Sequence, residues 1–156
     1  MEKIPIGGVL LHENLATISV QGTQAAASVV NLLTAFKNEG INIQFITHQI
    51  NQNGLENIVL AVDETDIRKS LFEICQLQRQ NVIDQFSIQR ECATVGIYGP
   101  DFRLRPGIAG SYLHALHQFG VLVKSISTSI STCTVLISAR EIAQALQAIR
   151  SAFDDA

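Results

Sequence analysis

Two loops, residues 22–28 and 99–108, each run from an alternating strand pattern into a helical one, and each opens on a glycine. A helix start suits an anion, because the first-turn N–H groups lack intrahelical acceptors and the helix dipole is positive there. Gln24, Ala25, Ala26 and Ala27 fill the first loop; Arg105, Gly107 and Ile108 close the second. Gly107 lets the backbone come close to a ligand with no Cβ in the way. Asn42, Ile43 and Gln44 open the following strand, and Asn42 and Gln44 share side-chain parity, so two amide oxygens can accept from an ammonium group. Donors for a carboxylate and acceptors for an ammonium are what a free amino acid requires. The plain alternative is an ordinary capped helix and solvated strand amides.

Other constellations are weaker. His114 and His117 stand at i, i+3 on a helical pattern, but no third ligand at matched spacing follows, so a polar helix face explains them and no metal or cofactor is expected. Arg103 and Arg105 flank Leu104 ahead of a helix start, where they can hold an anion or serve as surface arginines. Cys75, Cys92 and Cys133 form no C-x-x-C pair and read as small buried hydrophobes of a reducing compartment. The first loop has neither the Arg nor the Asn that would grip an acyl phosphate, and no Gly-Lys-Thr loop or paired Cys and His appears. No catalytic residue is therefore assigned. A net charge of −3 and the lack of paired strand aromatics speak against nucleic acid or an anionic membrane as partner. No apolar run approaches the ~20 residues of a membrane span. The start, MEKIPIGGVLLHEN, is broken by Gly7–Gly8 and does not read as a signal peptide, so a cytoplasmic location is expected.

An internal repeat organises the 156 residues, 47% of them apolar. ATISVQG at 16–22 matches ATVGIYG at 93–99. Val29, Leu32, Leu33 and Phe36 mark a helix stripe whose counterpart is Ile108, Tyr112, Ala115, Leu116 and Phe119. Gly40 and Gly120 close the two helices at C′. The pattern continues with strands at 41–46 and 121–126, then 58–62 and 134–137. Closing helices run along Ile67, Leu71, Ile74 and along Ile142, Leu146, Ile149, the latter opened by a Ser138–Glu141 capping box. The second copy carries three extra residues in its strand-to-helix loop. Each half reads β-α-β-β-α, and strands at 6–12 and 82–88 are available to complete a βαββαβ plan.

Arg105-Pro-Gly-Ile-Ala109 followed by Ile126-Ser-Thr-Ser-Ile-Ser-Thr-Cys-Thr-Val-Leu-Ile137 resembles the second ACT domain of the regulatory region of aspartate kinases. Gly99, Ser127-Thr-Ser129 and the closing helix from Glu141 to Phe153 fall in place, and Ile18–Gly22 with Gly40-Ile-Asn-Ile43 resemble the first ACT domain. Ile6-Gly-Gly-Val-Leu-Leu-His12 is similar to the lead-in that adds a strand to the second domain. The resemblance spans residues 4–153. It implies an α+β fold of two ferredoxin-like βαββαβ (ACT) units packed as a tandem pair, with antiparallel sheets and helices on one face. The expected domains are 14–80, and 4–13 with 81–156. The implied function is an amino-acid-binding regulatory module, not an enzyme, acting by ligand-dependent rearrangement of ACT–ACT interfaces, with the kinase domain absent. The implied partners are a second copy and a kinase or other biosynthetic enzyme. By the same resemblance Ser127 and Ser129 line the facing wall of the pocket, and Leu122 is a further ligand-binding position. Departures are specific: Thr23–Ala27 replaces the first Pro-Gly, Gln44 and Ile130 stand where the family has acids, and Leu122–Val123 replaces Asn-Ile. These weaken lysine as ligand relative to threonine. Asn42 and Gln44 favour the first copy; the loop at Gly107 favours the second. The alternative function is a ligand-free dimerisation or scaffold subunit.

Overall fold

The computed structural model describes residues 2–23, 27–100 and 102–155. The elements in order are β1 (Ile4–Ile6), β2 (Gly8–Gly22), α1 (Ala27–Asn38), β3 (Ile43–Ile50), β4 (Glu56–Asp63) and α2 (Ile67–Arg79). They continue with β5 (Ile83–Tyr98), α3 (Ile108–Gln118), β6 (Ser125–Thr128), β7 (Thr132–Ser138), α4 (Ile142–Ala152) and β8 (Phe153–Asp155). The strands expected at 6–12 and 82–88 are not separate: they merge with those at 16–22 and 93–98 into the long β2 and β5.

The chain divides into a continuous unit, Asn14–Arg90, and a split unit, Met1–Glu13 with Glu91–Ala156. Residues 81–90, expected with the second copy, group instead with the continuous unit. The reason is packing: Val82 and Ile83 are buried in that unit's core, and Phe86 and Ile88 lie against it.

In the continuous unit the strand order is β3-β4-β2-β5, with antiparallel β2–β4 and β3–β4 pairs. Ile18, Val20, Ile58, Leu60 and Val62 alternate along β2 and β4 and pack against Leu32 and Phe36 of α1 and Ile74 and Leu77 of α2. In the split unit the order is β2-β5-β7-β6, with β5–β7 and β6–β7 antiparallel. Ala93, Val95 and Ile97 with Cys133, Val135 and Ile137 form the sheet side of its core, and α3 and α4 cover them. A separate parallel pair, β1 with β8, places Ile6 and Phe153 in the same core. Both units are thus antiparallel sheets with helices on one face, the ACT-type α+β architecture.

Helices α1, α2 and α3 end alike. Gly40 and Gly120 take positive φ of 68° and 73°, and Ile41 and Val121 donate back to Phe36 and Leu116 at 2.9 and 3.0 Å. Asn81, φ 59°, does the same for α2, with Val82 N–H donating to Leu77 at 2.9 Å. These are left-handed caps that satisfy the last carbonyls and turn the chain into a strand. The capping box expected at Ser138 does not form. Ser138 gives no side-chain cap, a short 3-10 turn (Ala139–Glu141) precedes α4, and the Glu141 carboxylate accepts the Leu122 N–H at 3.3 Å instead.

Tyr112 is the largest fully buried side chain, its ring edge-on to Phe153 at 6.0 Å and its hydroxyl donating to the Val95 carbonyl at 2.9 Å. Burial, helped by Cys133, raises its pKa far above a free phenol's. Replacing it, Tyr112→Phe, is expected to lower stability by about 1–2 kcal/mol, read from a urea unfolding midpoint, since one buried hydrogen bond is lost without a cavity. Burial pushes the Cys133 thiol up to about 11. The folded value lies above the unfolded one, so its contribution is complete below about pH 8.5 and is lost as pH climbs toward 11. A thiol reagent at pH 8 is expected to modify the half-buried Cys75 and to leave Cys133 untouched until the protein unfolds, which peptide mass mapping would read.

Candidate functional site

The ladder register fixes which sequence-predicted residues can meet. In the continuous unit Gly22 pairs with Glu56, and Glu56 with Ile50, so the end of β2, the start of β4 and the end of β3 share one edge with the start of α1. Asn42 and Ile43 sit at the other end of β3, where Ile43 pairs with Val62. β4 spans eight residues, which puts roughly 20 Å between Asn42 and the α1 start. A register shift between Ile43 and Phe45 also leaves Gln44 with no opposite residue, which breaks the parity it would have shared with Asn42. Within this unit Asn42, Ile43 and Gln44 are therefore not brought to the helix start. Ala27 is the first residue of α1; Gln24, Ala25 and Ala26 lie outside the described residues.

What does stand at the α1 start is Glu56, unexposed to solvent. Its Oε1 accepts the Ser28 N–H at 3.2 Å and its Oε2 the Val29 N–H at 3.0 Å. His48 Nε2, diagonal to it on β3, lies 3.0 Å from Oε2. The carboxylate is held by the two kinds of partner that make such burial tolerable, helix-start amides and a basic ring. Sequence reading began this strand at Ile58 and passed over Glu56. The available signal was parity, since Glu56 continues the inward series Ile58, Leu60, Val62.

The split unit brings more of its candidates together. Tyr98 pairs with Thr132, and Thr128 with Cys133, so the end of β5, the β6–β7 turn and the start of α3 share an edge. Arg105, Gly107, Ile108 and Ser129 line a cleft of about 250 Å³ there, with Phe102 and Thr132 among the other walls. That volume lies below the ~300–1,000 Å³ of drug-sized sites and suits a small metabolite. Gly107 has φ 89°, a left-handed conformation, and gives α3 no side-chain cap. The first intrahelical bond runs from Ser111 N–H to Gly107 at 2.9 Å, so the earlier amides of α3 point to the cleft end. Arg105 is exposed, and the arrangement can take an anion on amides and a guanidinium. Ser129 is partly committed: its hydroxyl contacts Thr132 Oγ1 at 2.7 Å and accepts the Thr132 N–H at 3.2 Å, closing the turn. Ser127 pairs with Thr134 on β6 and is not among the cleft walls. Leu122 is two-thirds exposed at the opposite end of β6, beside Glu141. His114 and His117 are exposed on α3.

No family model matches the chain. Aspartokinase 2 of Bacillus subtilis is 19% identical over 154 residues, which are 98% of this chain and 38% of that protein. The chloroplastic bifunctional aspartokinase/homoserine dehydrogenase 2 of Arabidopsis thaliana is 26% identical over 159 residues, 96% of this chain and 17% of its own. The chain thus spans well under half the length of these relatives. Among solved structures, the ligand-free regulatory subunit of aspartate kinase from Thermus thermophilus superposes with a TM-score of 0.85 at 20% identity, covering 96% of this chain and 99% of that one. The similarity therefore falls on a regulatory subunit matched almost end to end. Over nearly its whole length this chain is similar to the regulatory region of aspartokinases, and its two units have the ACT-type fold of their regulatory subunits.

Proposed function

We propose that the chain is a regulatory module of the aspartokinase type that binds a free amino acid and carries no catalysis of its own. The observation that carries this reading is the cleft at the α3 start, where first-turn amides, Arg105 and the left-handed Gly107 converge. A ligand carboxylate on the α3 amides and Arg105 gains charge-assisted bonds, and hydroxyls of the β6–β7 turn stand near for the ammonium. The cleft holds no carboxylate among its described walls, which favours threonine or another small neutral amino acid over lysine. Binding acts by linkage: the ligand stabilises the arrangement of ACT–ACT contacts that binds it better, within a homodimer and toward a kinase or other biosynthetic enzyme.

A ligand-free pairing role draws on a different feature. β3 is an edge strand of its sheet and exposes Ile46 and Ile50. Mass measurement in solution separates the readings: a dimer indifferent to every amino acid favours this second one.

Titration with threonine, lysine and a branched-chain amino acid, one at a time, is expected to shift the amide resonances of Ile108 and Ala109 for at least one of them. Arg105→Ala should weaken that binding about 10- to 100-fold, the worth of one charged hydrogen bond. The absence of any response at millimolar concentrations would defeat the ligand reading.

A further inference from the structure

The two units answer the same requirement, an acceptor for first-turn amides, in opposite ways. In core register Ile58, Leu60 and Val62 correspond to Cys133, Val135 and Ile137, so the split unit's counterpart of Glu56 is Ser131. Ser131 is exposed, and the N-cap of α3, Gly107, has no side chain with which to cap it. Glu56 is fully buried, with each carboxylate oxygen on one amide of α1. The space around it is filled as well. A Cβ on Gly22 would lie 2.5 Å from both Cβ and Oγ of Ser28 and 3.1 Å from Cβ of Glu56, so β2, β4 and α1 already touch there.

We propose that Glu56 is a built-in occupant of the anion position at the α1 start. It fills the place that a ligand carboxylate would take, and closes the continuous unit to external carboxylates. His48, 3.0 Å from Oε2, fixes the occupant in that position. The atoms beyond Cβ are those of acetate, so Glu56→Ala leaves a cavity of acetate's shape beside two amides and an imidazole. That this closure directs an amino acid to the α3 cleft rests on the function proposed above; the acetate cavity does not.

The experiment is thermal unfolding of the whole chain and of Glu56→Ala in sodium acetate, with sodium chloride at equal ionic strength and acetamide as controls. The variant is expected to melt several degrees lower in chloride and to regain at least half of that loss in acetate, with a saturating dependence. Acetamide should restore little, and the unsubstituted protein should not respond to acetate beyond the chloride control. A folded variant that gains no more from acetate than the unsubstituted protein overturns the proposal. Where Glu56→Ala does not fold, Glu56→Gln serves: Ser28 and Val29 amides should exchange about tenfold faster than in the unsubstituted protein, with Ile108 and Ala109 unchanged. Unaltered exchange at Ser28 and Val29 overturns it equally. Threonine titration of the unsubstituted protein keeps the two ideas apart, because a silent α3 would sink the ligand reading while leaving acetate rescue intact.

Discussion

A helix that begins where strands end must leave its first amides pointing past its own axis, and an acceptor has to be found for them. This constraint shapes the end of each unit where α1 and α3 begin. In the continuous unit, β2, β3 and β4 bring Gly22, Ile50 and Glu56 to one edge, and the carboxylate reaches α1 directly. In the split unit the same strands are present, but the position opposite carries an exposed Ser131, and the amides of α3 face a cleft. One backbone plan yields a sealed end and an open one, and the difference lies in one side chain and a longer loop.

The electrostatics agree with this division. A buried carboxylate costs several kcal/mol unless paired; Glu56 has two amides and an imidazole around it. The open end has the reverse polarity, with Arg105 and helix amides in a chain whose net charge is −3. The open end is thus a local positive site on an acidic molecule. A small ligand alters an equilibrium only as far as its affinity differs between two arrangements.

Most of the architecture was legible because the repeat reports itself twice. The helix stripes, the left-handed glycines at 40 and 120 and the inward alternation of β4 and β7 are local signals, and tertiary packing had nothing to override. The site was legible only in part. Arg105, Gly107, Ile108 and Ser129 lie near one another in a turn-and-loop edge that family resemblance picks out, and the structure gathers them. Parity says which face a side chain takes but not which end of the strand it occupies, so it could not place Asn42 and Gln44 at the end of β3 away from the α1 start, and the shift at Ile43/Phe45 breaks the parity between them. Glu56 escaped because it follows the turn 51–54 and reads as the polar edge of a loop; its burial is decided by α1, some thirty residues earlier in the chain.

The left-handed caps at Gly40 and Gly120 turn the chain at the ends of α1 and α3, whereas the Asn81 cap lies beside the start of α1, where Ser28 Oγ donates to the Val82 carbonyl. Because each spends its geometry locally, the connection from helix to strand has a fixed length and tolerates no insertion. The loops leading into α1 and α3 are where the two copies differ, by three residues in length. New loops grafted between Gly99 and Ile108 should change what is recognised without re-cutting either core.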